Sequence, residues 1–112
     1  DSPTQRVRAH TLDSFLEVVG AQRLDFLHLD MQGAEFDVLT AASTDLLKHV
    51  LSIQVEVVER ASKIWAGVPD GRAIVDLLQS RGFVQLCTSP RLRDDIYYDV
   101  LLVNEAIAPS VL

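Results

Sequence analysis

A chain of 112 residues that is 48% hydrophobic holds one domain with apolar material for a single core. Its 10 Lys+Arg against 16 Asp+Glu give a net charge of −6 and a pI near 4.8, which leaves no basic face for nucleic-acid phosphates or an anionic membrane. One cysteine, Cys87, excludes an intrachain disulfide and a cysteine-rich metal site and fits a cytoplasmic setting, and no apolar run approaches the ~18 residues of a membrane span.

Residues 1–10 form a leading segment whose polar start does not read as a signal peptide. Within it, Arg6 to His10 alternate in type and would suit a short strand, as if the sequence were joined midway. Thr11 can cap a helix in which Leu12, Phe15, Leu16 and Val19 fall on one face, with Asp13 in the first turn and Gly20 at its end. Leu24 to Leu29 is a strand closed by Asp30, Gly33 marks a turn, and Ala34 to Ala42 is a helix burying Ala34, Val38 and Ala41 or Ala42. A break at Ser43 to Asp45 leads to a short turn at Leu46 to Lys48.

Val50 to Val58 predicts a second strand with Leu51, Ile53, Val55 and Val57 on one face and Ser52, Gln54 and Glu56 on the other. The polar face conflicts with an interior parallel strand, which is apolar on both sides. Glu59 to Pro69 is a connection carrying Trp65, either a plug beneath the loop or a ligand platform. Asp70 caps a helix that buries Ile74, Val75, Leu77 and Leu78 and stops at Gly82. Phe83 to Thr88 and Ile96 to Asn104 are strands, and their joint at Ser89 to Asp95 is too short for a parallel crossover, so they form an antiparallel hairpin. Residues 105–112 read as a loose tail, and no repeat or linker divides the chain, so residues 1–112 make one α/β domain.

Several residues could carry chemistry. In an open α/β sheet, ligands bind outside the carboxyl ends of the strands, so Asp30 stands at the crevice; its other role is to accept backbone N–H bonds around Gln32 and Gly33. Glu35, in a first helical turn, complements the helix dipole. Glu56 either approaches the crevice of Asp30 or ends a strand in solvent. His28 and Asp30, with His10 or His49, match the ligand pattern of non-haem iron enzymes, but those use a double-sheet barrel, so no metal is expected and His28 is placed in the core with a satisfied hydrogen bond. Cys87 is expected to be a small buried hydrophobe. Arg91, Arg93, Asp94 and Asp95 shape an acceptor pocket with Tyr97 and Tyr98, or form a solvated turn.

Two stretches, Thr11-Leu12-Asp13-Ser14-Phe15-Leu16 and Leu29-Asp30-Met31-Gln32-Gly33-Ala34-Glu35 with Val38-Leu39 after it, resemble the FkbM family of S-adenosylmethionine-dependent methyltransferases. The register holds from about Val7 to Asn104. The resemblance implies the carboxyl-terminal half of a Rossmann-like methyltransferase fold, a mostly parallel sheet with a final antiparallel hairpin. It implies methyl transfer, to oxygen on a small molecule or glycan. It places Asp30, Met31 and Gln32 at the cofactor, Asp30 and Glu56 at the reaction, and Glu35, Trp65 and Arg91 at the acceptor. Gln32 stands where many members have Glu, which removes one negative charge.

Methyltransferases of this fold hold the cofactor with a glycine-rich turn and a strand-end acid. The five glycines here, Gly20, Gly33, Gly67, Gly71 and Gly82, are scattered and form no Gly-x-Gly. The sequence thus reads as a piece lacking the cofactor-binding half, not expected to bind S-adenosylmethionine or act alone. A non-catalytic α/β interaction module is the alternative. Without a preceding strand, Leu24 to Leu29 becomes an edge with no proline or lysine, and a homo-oligomer through that edge is expected.

Overall fold

In the computed structural model, residues 4, 6, 8–31, 33–58, 70–89 and 97–108 are described. Helix α1 (Leu12–Val19) starts where Thr11, in extended conformation, accepts the Ser14 N–H on its hydroxyl, and stops at Gly20 with φ 73°. Strand β1 (Leu27–Leu29) is shorter than the apolar run predicts: Leu24 makes only an isolated parallel bridge to Val50, and the chain bends at Asp25 between them. Helices α2 (Glu35–Ala41) and α3 (Thr44–Leu47) follow, the second capped by the Ser43 hydroxyl, which accepts the Leu46 N–H. Then come β2 (Ser52–Val58), α4 (Gly71–Ser80), β3 (Phe83–Thr88) and β4 (Tyr97–Asn104). No helix among the described residues is long and apolar enough to cross a membrane.

The four strands form one mixed sheet in the order β1-β2-β4-β3. β1 pairs parallel with β2, whereas β4 runs antiparallel to both β2 and β3. β1, β2 and β3 therefore run the same way and β4 runs against them, and because the last hairpin strand inserts between β2 and β3 the sheet is mixed, with one parallel pairing and two antiparallel ones. The hairpin itself is as the short joint requires.

Register explains the two-sided character of β2. Leu29, Ile53, Val55, Val57, Val100 and Leu102 share one face and are buried with Leu39, Leu46, Leu47, Ile74, Val75 and Leu78 from the helices. On the opposite face His28, Gln54 and Leu101 align across the strands, as do Glu56 and Asp99, and these residues are half-buried or exposed. The polar residues of β2 thus line a sheet face that the core does not cover, which removes the conflict with an interior strand.

That geometry overturns two expectations. His28 is exposed on the polar face, its ring stacked against Phe26 with centroids 6.2 Å apart, and is no core histidine. Cys87 is exposed too, because β3 is an edge strand and its register slips between Gln85 and Cys87. On α1, Leu12 and Leu16 pack against the core, but Phe15 and Val19 are more than half exposed. At α4 the Asp70 side chain makes no capping hydrogen bond, and Leu77 is only partly buried. Asn104 is a buried polar residue that periodicity does not reveal: its amide donates to the carbonyls of Leu47 and Val50, tying the end of β4 to the approach of β2. Trp65, Arg91, Arg93, Asp94, Asp95, Gln32 and Pro109 lie outside the described residues.

Candidate functional site at the carboxyl end of β1

Leu29 and Val55 are the last paired residues of the parallel strands, so the next positions along the two chains are Asp30 and Glu56. Parallel neighbours end on the same side of a sheet, and this register brings both residues to one edge. Glu56 in turn aligns with Asp99 on β4, and Asp99 accepts a hydrogen bond from the Gln54 amide at 3.3 Å. Asp30 is exposed and Glu56 half-buried.

The loop that carries Asp30 is held from behind by Glu35. Its side chain is buried, and its two oxygens accept the backbone N–H groups of Met31 and, at 3.1 Å, of Gly33. Gly33 has φ 106°, a conformation that a side chain would strain. The helix that follows has Ala34 at its cap position, which offers no side-chain acceptor, and the two N–H groups that Glu35 accepts belong to the loop before the helix. The Gly33 N–H that a capping Asp30 would take thus goes to Glu35. Spacing alone gave Glu35 only a dipole role; its burial and its two backbone partners in the loop show the rest.

Beside this loop lies a groove of about 590 Å3 between α1 and α2. Leu12, Phe15, Leu29, Met31, Val38 and Ala41 give it apolar walls, and Arg8, His10 and Asp37 also line it. Met31, which follows Asp30, is 42% exposed, so the loop presents an apolar side chain to the groove. A second groove of about 600 Å3, lined by Leu24 and Val50 where the strands begin and by Arg23, Asp45 and His49, contains neither Asp30 nor Glu56.

Asp13, the acid of the first motif, belongs to the architecture. One of its oxygens accepts the Ser43 N–H at 2.9 Å and the other the Ser43 hydroxyl at 2.5 Å, so α1 is tied to the cap of α3. The Ser43 hydroxyl, followed by the Ser43 N–H, holds the Asp13 carboxyl below its ordinary value of 3.8. The partner is thirty residues away, beyond the reach of a local pattern. Among the described residues, no group of three or more His, Cys, Asp or Glu side chains is arranged to hold a metal ion.

Asp30 thus closes a strand of an α/β sheet beside a loop braced by a buried acid and a groove, at the end of the sheet where open α/β sheets bind ligands. The methyltransferase FkbM domain matches residues 1–84, and the chain belongs to that family. It is also 37% identical over 107 residues to the AMB antimetabolite synthetase AmbE of Pseudomonas aeruginosa; the match covers 95% of this chain and 5% of that protein. No solved structure matches significantly.

Proposed function

We propose that this chain is the carboxyl-terminal half of a Rossmann-like methyltransferase domain that uses S-adenosylmethionine, in the cytoplasm, to methylate oxygen on a small molecule or glycan. The observation that carries the reading is the position of Asp30: a motif carboxylate at the carboxyl end of β1, one step beyond the parallel register and level with Glu56. The family match supports methyl transfer. A similar stretch in a protein named as an antimetabolite synthetase supports a small-molecule acceptor.

The described residues fit the cofactor in part. Their groove offers apolar walls to a ring or thioether, and Met31 lies on it. The sequence carries no Gly-x-Gly turn, and on this reading most of the donor's contacts come from a donor-binding half joined to this chain. Bound there, S-adenosylmethionine supplies an activated methyl group. The Asp30 carboxylate orients the acceptor hydroxyl and takes its proton, and Glu56 flanks the acceptor on the neighbouring strand. Trp65 and Arg91 are proposed to complete the acceptor side.

Titration calorimetry with S-adenosylmethionine tests this division. The 112-residue chain is expected to show no measurable binding, and a longer polypeptide that joins it to a donor-binding half saturable binding. Tight binding by the short chain would mean that the donor site lies wholly within it. A second reading, a non-catalytic interaction module, is favoured by the exposed apolar Phe15, Val18 and Val19 on α1. It predicts that the longer polypeptide binds no donor either.

A further inference from the structure

We propose that Glu35 is a positioning residue that sets the conformation of the strand-end loop and thereby aims Asp30 and Met31, an inference that rests on the function proposed above. A carboxylate is costly to bury without hydrogen-bond partners, and Glu35 is only 4% exposed. Its described partners are backbone N–H groups of the loop, at Met31 and Gly33. They lie on either side of residue 32, so one rigid carboxylate spans the turn between the strand and α2. A simpler helix start needs only a Ser or Asp at the cap position, and here that position is Ala34. The acid one residue later reaches back instead to the loop that leaves β1.

The consequence falls on the two residues that face outward. Met31 offers its backbone N–H inward to Glu35 and its side chain to the groove, so the hydrogen bond fixes which way that side chain projects. Asp30 is joined to Met31 by one peptide plane and follows its orientation. A misplacement of order 1 Å at a reacting group can cost about a hundredfold in rate, so a clamp of this kind acts on chemistry without touching a reactant.

The chemistry of the clamp selects the variants. Glu35→Gln keeps the length but turns one acceptor into a donor, which meets an N–H donor head on. Glu35→Asp keeps the charge but is one methylene short of spanning both amides. Amide hydrogen exchange on the protein reads the clamp directly. In either variant, exchange at Met31 and Gly33 is expected to quicken about tenfold or more while Val55 and Leu102 in the core stay protected. On a longer polypeptide that joins this chain to a donor-binding half, calorimetry with S-adenosylmethionine and release of S-adenosylhomocysteine read the consequence, with donor affinity and turnover each expected to fall about tenfold in Glu35→Gln.

Unchanged exchange at Met31 and Gly33 in the folded variants overturns the clamp. Faster exchange with unchanged donor affinity and unchanged turnover overturns the positioning role. A wild-type polypeptide that binds no donor, with exchange responding as expected, overturns the proposed function instead and leaves Glu35 a structural brace of the loop. If Glu35→Gln does not fold, Glu35→Asp carries both readouts.

Discussion

Asp13 and Glu35 are acids in first helical turns, where a local reading gives each the same modest role of complementing the helix dipole. The structure separates them by what their oxygens accept: Asp13 takes both groups of Ser43, and Glu35 takes the loop after β1. Since hydrogen bonds to a charged group are worth roughly 1.5–3 kcal/mol and Asp13 is only half-buried, Asp13→Ala should destabilise the protein by about 1–2 kcal/mol in urea unfolding. The pH dependence has a definite sign. The Asp13 carboxyl is held below 3.8 in the folded state, so its contribution is fully present above that value and is lost as pH falls through the lower folded value. The stability gap between wild type and Asp13→Asn should accordingly narrow in unfolding measured from pH 6 down to pH about 2.5. A gap constant across that range would deny Asp13 its bond to Ser43.

At the scale of elements, local signals located the pieces well and their surroundings poorly. The Thr11 cap, Gly20, the alternation of β2 and the antiparallel pairing of the last two strands all depend on near neighbours in sequence, and each is found where it was expected. Burial of His28 and Cys87 depends on what covers each sheet face and edge, which no local pattern contains. The same holds at Gly71, the first residue of α4. A Cβ there would stand 2.6 Å from the Cβ of Val57. Helix propensity alone would have Gly71→Ala stabilise by up to about 1 kcal/mol, whereas overpacking against a strand costs about 1–3 kcal/mol. The packing term should win, giving a net loss visible as a lower urea midpoint. A gain would mean that α4 can lift from β2 at little cost.

For the whole molecule, the arrangement that matters is the sheet with β1 at one edge and the strand-end loop at its carboxyl end. Among the described residues nothing pairs with the outer side of β1, and Phe26 beside it is half exposed. Such a row of backbone donors and acceptors takes another strand, and closed two-fold pairing makes a second copy of this chain a self-complementary partner. We propose that the 112-residue chain self-associates through this edge; light scattering over a concentration series should show dimers, with Phe26→Lys shifting them toward monomer. A strictly monomeric chain would mean that the edge is covered. Both motif acids of the strand-end loop were legible as site candidates from sequence, but the task of Glu35 emerged only once its burial and its two backbone partners were seen.

If Asp30 serves methyl transfer, the most direct measurement is release of S-adenosylhomocysteine by a polypeptide that joins this chain, carrying Asp30→Asn, to a donor-binding half. Turnover is expected to fall by on the order of a hundredfold, with donor affinity and melting temperature kept, since a group that orients or deprotonates the acceptor acts on the chemical step. Unchanged turnover with lowered stability would contradict the account and make Asp30 a structural acceptor at the end of β1.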